Sequence, residues 1–123
     1  MAHEITDAMQ RCIDHCSECH DICVQTVNHC LTEGGKHAEA EHIRLLLDCT
    51  EICQTCADFM LRGSPYHVAT CATCADICEA CAESCARFSD DTMMQRCAET
   101  CRRCAASCRE MSGTKARAAG GRA

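Results

Sequence analysis

Thiols recur at every third or fourth position in four separate stretches of the 123-residue chain. The first holds Cys12, Cys16, Cys19 and Cys23, with Cys30 a further two turns on; the second holds Cys49, Cys53 and Cys56. Cys71, Cys74, Cys78, Cys81 and Cys85 form the third, and Cys97, Cys101, Cys104 and Cys108 the fourth, seventeen in all. Two of the stretches echo each other: "MQRCIDHCSEC" at 9–19 and "MQRCAETCRRC" at 94–104. Spacings that alternate between three and four stack side chains along one face of a helix. Four such faces pointing inward would make a core of sulfur. Thiolate is both a nucleophile and a metal ligand, and as a soft donor it selects Cu(I), zinc or iron–sulfur clusters.

Disulfides fit this spacing poorly. Helical neighbours at i, i+3 and i, i+4 have Cβ atoms about 5–6 Å apart, whereas a disulfide needs roughly 3.5–4.5 Å. The cysteine count is odd, and "MAHEITDAM" at the N-terminus has neither the basic nor the apolar region of a secretory signal. A cytoplasmic, reducing setting is therefore expected. Bridging metal suits the spacing better, since two sulfurs either side of one ion stand ~4.5 Å apart at zinc–thiolate bond lengths. Zinc gathers four thiolates and leaves a charge of about −2 per isolated site, costly in a core without Lys or Arg. Cu(I) accepts two or three ligands, so thiolates that each bridge two ions approach a ratio of one metal per sulfur and near-neutrality. A capacity on the order of the cysteine count follows. A zinc or cadmium thiolate store, and a thiol redox protein using exposed C-x-x-C pairs, are the alternatives. Ferredoxin spacings are absent. "CSECH" at 16–20 matches the C-x-x-C-H haem pattern but lies inside a longer cysteine heptad.

Positioning these thiols requires four helices. Pro65 is the one proline, and glycines fall at 34–35, at 63 and from 113 onward. They divide the chain into helical segments at about 5–31, 38–62, 65–88 and 92–112. Ser64 is expected to cap the third, with Pro65 at its first position, and Ser89, Asp90 and Asp91 supply caps for the fourth. Short connections make sequential neighbours antiparallel. The fold class is all-α, an up-down-up-down four-helix bundle with a cysteine-lined core over residues 1–112, followed by a disordered tail at 113–123. Ile5, Met9, Leu46, Met60, His67, Phe88, Met94 and Met111 extend the sulfur stripe. Ile13, Ile22, Val24, Ile52 and Ile77 flank it and should seal helix seams or an oligomer contact. Cysteine is smaller than leucine, so a cysteine axis should be hollow unless filled.

The two bundle ends differ. Met9, Met60, Met111 and His67 gather at one, and thioethers with an imidazole suit a place where Cu(I) enters. Ile43, Leu46 and Phe88, with Met94 nearby, should plug the other. His3, His15, His20, His29, His37 and His42 lie off the stripe or near the termini and are expected to be solvated. A net charge of −6 disfavours nucleic acid as a partner, and the longest aliphatic run, Leu45 to Leu47, is far too short for a membrane span. No acid–base pair, nucleophile constellation or phosphate loop argues for an enzyme.

The repeats carry a resemblance. C-x3-C-x2-C-x3-C at Cys12–Cys23, its counterpart at Cys97–Cys108 and the run Cys71–Cys85 resemble the copper storage proteins, in their cytosolic bacterial branch, over residues 5–111. That resemblance implies a bundle whose lumen holds many Cu(I) ions on the seventeen cysteines, assembled as a homotetramer. The function expected is a store that limits copper toxicity and supplies copper enzymes, with a copper chaperone as a delivery partner.

Overall fold

The computed structural model describes residues 4–115. It contains four α-helices: α1 (Asp7–Glu33), α2 (Ala40–Leu61), α3 (His67–Ala86) and α4 (Thr92–Ser112), with a 3₁₀ turn at Gly35–Ala38 between α1 and α2. Each helix packs on the two beside it in a square, α1 on α2 and α4, α3 on α2 and α4. This is the antiparallel up-down-up-down bundle. No helix among the described residues is long and apolar enough to cross a membrane. Residues 116–123 of the tail lie outside the described residues.

Local chemistry sets the boundaries. Thr6 Oγ1 accepts the Met9 amide at 3.1 Å and opens α1. Gly34 closes it at φ 72°, a left-handed angle open to glycine, and its N–H bonds the Cys30 carbonyl. Helix α3 begins two residues later than Pro65 suggests, because 65–66 form a turn in which Ser64 Oγ takes the Tyr66 amide at 3.1 Å. At α4, Asp91 is the cap: its Oδ1 accepts the Met94 amide at 3.2 Å.

The buried face follows the heptad closely. On α1 it runs Met9, Cys12, Cys16, Cys19, Cys23, Thr26 and Cys30, and on α2 His42, Leu46, Cys49, Cys53, Cys56 and Met60. Ile5 does not join it: it precedes α1 and is 41% exposed. Ile13 and Ile22 are buried and seal the seams of α1 as expected, whereas Val24 is exposed and Ile52 and Ile77 are half-buried. Small residues do the rest of the sealing. Ala75 and Ala82 on α3, and Ala98 and Ala105 on α4, each follow a buried cysteine and are themselves buried. With only a methyl at these positions, the faces of α3 and α4 beside the cysteines leave room for close packing.

Candidate metal centre

All seventeen cysteines have zero solvent exposure, and all are free thiols. Their sulfurs form a continuous column. Near the start of α1, Cys12 Sγ lies 3.7 Å from Cys108 and Cys56 lies 3.2 Å from Cys71. Cys16 then meets Cys104 at 3.7 Å and Cys108 at 3.8 Å. In the middle, Cys53 reaches Cys74, Cys78 and Cys104 at 3.8, 3.7 and 4.0 Å. Cys19 touches Cys101 at 3.6 Å and Cys49 at 3.8 Å, and Cys23 touches Cys101 and Cys97 at 3.9 and 4.0 Å. The expected hollow is therefore narrowed by the sulfurs themselves, which stand in contact from helix to helix.

These contacts resolve into overlapping ligand sets. Four sulfurs converge at Cys16/Cys56/Cys74/Cys108, at Cys19/Cys53/Cys78/Cys104, at Cys19/Cys23/Cys49/Cys101 and at Cys23/Cys81/Cys97/Cys101; Cys12/Cys71/Cys108 form a three-sulfur set. Cys19, Cys23, Cys101 and Cys108 each belong to two of these. Shared membership is the geometry of a bridging thiolate. Sulfurs either side of a two-coordinate ion stand ~4.5 Å apart, and around a three-coordinate ion about 4.0 Å, at bonds of about 2.3 Å. The sulfur contacts, from 3.2 Å to 4.0 Å, need to open by between almost nothing and about 1.3 Å to accept ions.

Few groups in the column can balance a negative charge. Among the described residues the buried polar side chains are Thr26 and His42, so none of the described Lys or Arg residues stands among the sulfurs. Burial pushes the Cys30 thiol up to about 11. Cys78 is pushed up too, by its hydrogen bonding to Cys104 and then by burial. These thiols hold their protons until a cation replaces them.

Of the histidines expected to be solvated, His42 is a correction. It is buried, with Nε2 3.5 Å from Cys30 Sγ and Nδ1 2.7 Å from Ser84 Oγ. Burial, then the Arg87 charge, lowers its pKa, so the ring is neutral. Met94 Sδ accepts from the Cys30 thiol at 3.6 Å. The end expected to be plugged thus carries a soft-donor trio, with half-buried Phe88 stacked over His42 at 5.3 Å. The spacing held the signal: His42 lies four residues before Leu46 and continues the stripe by one turn. His15 is half-buried with Nδ1 2.5 Å from Ser107 Oγ, and His20 meets Asp21 at 2.9 Å. His29 and His37 both hydrogen-bond Asp91. His3 lies outside the described residues.

At the opposite end Met60 is fully buried and accepts from the Cys71 thiol at 3.9 Å. Met9 is buried, Met111 is half-buried against the core, and half-buried His67 donates from Nδ1 to the Ser64 carbonyl at 2.8 Å.

Comparison with known proteins gives a consistent picture. The profile of the copper storage protein family matches residues 5–113. Among solved structures, a protein from Nitrosospira multiformis is 48% identical, with a TM-score of 0.82 over 88% of this chain and 98% of its own. The Cu(I)-bound copper storage protein BsCsp3, of Bacillus subtilis, is 37% identical, with a TM-score of 0.80 over 86% of this chain and 99% of that one. A cytosolic copper storage protein from Streptomyces lividans, holding five coppers, is 32% identical, with a TM-score of 0.81 over 89% of this chain and 95% of that one. No curated protein matches the chain.

Proposed function

This chain belongs to the copper storage protein family, and from that premise we propose that its sulfur column stores Cu(I), with the seventeen cysteines as ligands. The observation that carries the reading is the overlap of the sulfur sets, in which Cys19, Cys23, Cys101 and Cys108 each serve two groups. Zinc can share thiolates too, but each ion still gathers four sulfurs and the assembly stays anionic in a core without buried cations; Cu(I), with its lower coordination number, brings such a shared array close to neutrality. A role as a thiol enzyme is disfavoured by the complete burial of every thiol, since a reactive cysteine needs access to its substrate. The test is anaerobic Cu(I) titration against a competing chelator. Saturation near the cysteine count is expected; saturation near one quarter to one third of it, as four-coordinate metal would give, would refute the proposal.

Three finer statements belong to the same proposal. The protein works in the cytoplasm, a setting that suits seventeen thiols in the reduced state and parallels the cytosolic relative from Streptomyces lividans. Cu(I) enters at the end bearing Met9, Met60, Met111 and His67, where Met60 already touches the outermost layer through Cys71. The chain assembles as a homotetramer through faces that include half-buried Ile52 and Ile77, which line one depression between α2 and α3. Sedimentation of the parent and of Ile52→Glu checks the last statement. An assembly that survives the substitution unchanged removes that face from it.

A further inference from the structure

At one end of the bundle three connecting elements converge outside the sulfur column. His29 lies in the last turns of α1, His37 in the 3₁₀ turn, and Asp91 immediately before α4. The Nε2 atoms of His29 and His37 lie 2.7 and 2.9 Å from the same carboxylate oxygen, Asp91 Oδ2. We propose that this trio is a second metal site, separate from the thiolates, for one divalent first-row ion of the zinc class held by His29 Nε2, His37 Nε2 and Asp91 Oδ2.

Donor chemistry makes the distinction. Two imidazoles and a carboxylate suit borderline divalent ions, whereas the thiolates inside select soft Cu(I). Two histidines and one carboxylate with an open fourth position are also a familiar zinc ligand set. The donors are held in place beforehand. Asp91 Oδ1 is tied to the Met94 amide as the cap of α4, which turns Oδ2 towards the histidines. The His37 ring rests on Phe88 with centroids 4.2 Å apart, and the two imidazoles meet edge to face at 5.7 Å.

Along the two hydrogen bonds to Asp91 the fit needs little movement. Ligands about 2.0–2.1 Å from a tetrahedral ion stand about 3.3–3.4 Å from one another, so the present hydrogen-bonded spacing must open by roughly half an ångström. The hydrogen held at each Nε2 leaves that atom when the metal binds, to Nδ1 or to solvent, and two metal–nitrogen bonds replace two N–H···O bonds. Water can take the fourth position, because the three side chains keep 28%, 20% and 19% exposure. Asp90 and Arg87 line the same depression. The Arg87 guanidinium is turned back onto Ser84, at 3.0 Å from its carbonyl and 3.2 Å from its hydroxyl, and does not occupy the site.

Such an ion fastens the α1–α2 connection to the α3–α4 connection. Phe88 lies beneath, between His37 and His42, so the bound ion secures the cover over Cys30, His42 and Met94. None of its ligands is a thiolate, and the inference stands independently of what the column stores.

The probe is zinc ion, titrated against a fluorescent competing chelator into protein already saturated anaerobically with Cu(I), for the parent and for a His29→Ala/His37→Ala double variant. The parent should bind one tight zinc more than the variant, with a nitrogen and oxygen shell free of sulfur in zinc-edge X-ray absorption. Asp91→Asn, which can still cap α4, should weaken that zinc by at least tenfold. Helical circular dichroism and Cu(I) count should be the same in all three. Equal zinc binding by parent and double variant, or a sulfur-containing shell, overturns the proposal and leaves the trio as a hydrogen-bonded clasp. The readout is the difference of one zinc per chain, which does not depend on how many ions the thiolates hold.

Discussion

Progressive removal of sulfurs from a single ligand set separates a shared column from a row of independent sites. Cys53, Cys78 and Cys104 belong with Cys19 to one four-sulfur set, and within that set Cys53 touches Cys78 and Cys104. Consider Cys53→Ala, then the addition of Cys78→Ala, then of Cys104→Ala. If every thiolate bridges, each removed sulfur lowers the Cu(I) end point by about one ion out of about seventeen, and the triple variant loses about three. Independent tetrahedral sites behave otherwise: the first substitution abolishes one of about four ions, and the next two change nothing further. The series is therefore a descending line in one case and a single step followed by a plateau in the other. Each substitution removes one buried sulfur, at a cost of about 1 kcal/mol by analogy with a buried methylene. That is affordable against a total of roughly 5–15 kcal/mol, and far-UV circular dichroism confirms the fold at each stage. The assay is anaerobic Cu(I) titration with a competing chelator. A plateau, or an end point that does not move, refutes the bridging argument.

Three further outcomes follow from other parts of the molecule. Burial raises the Asp91 carboxyl, but hydrogen bonds from His29, His37 and the Met94 amide outweigh it and hold the pKa at about 2, against an ordinary 3.8. Because the folded value is the lower one, the stability Asp91 contributes is fully present above pH 3.8 and fades as the pH falls towards 2; acid denaturation of unloaded Asp91→Asn should lack this component. Arg109 clamps α4 to α3, with Nε and Nη2 at 3.1 and 2.9 Å from Glu79 and Nη2 at 2.6 Å from Asp76. Arg109→Ala should destabilise the unloaded protein by about 1–3 kcal/mol in chemical denaturation, leaving Cu(I) capacity untouched. Met60→Leu keeps the volume and removes the thioether; stopped-flow uptake of Cu(I) should slow several-fold at unchanged capacity, and an unchanged rate would move the point of copper admission away from Met60.

The bundle was legible because the three-and-four spacing of cysteine leaves one architecture open, and all seventeen positions fall on the buried face. The sequence reading stopped too early at the edges of that pattern. His42 and Thr26 occupy stripe positions, but both are polar types that are usually solvated, and only packing shows that Ser84 and the Ile22 carbonyl satisfy them. The contact between sulfurs across the axis was not foreseeable from cysteine volume alone. It depends on how closely the four helices pack, which small buried residues such as the alanines beside Cys74, Cys81, Cys97 and Cys104 permit. The meeting of His29, His37 and Asp91 depends on how two connections fold over one bundle end, which periodicity does not encode.

A column of buried thiols among the described residues with no buried Lys or Arg beside it can hold few negative charges, because an uncompensated thiolate is costly to bury, and that has one more consequence. Each Cu(I) that displaces one thiol proton brings in the charge that leaves, so the interior behaves as an ion exchanger whose electrical state is the same empty or full. Filling it should acidify a weakly buffered solution by about one proton per copper. Cargo therefore need not be offset by counterions drawn to the surface, and the outside of the bundle can keep a constant face towards its surroundings while the contents change.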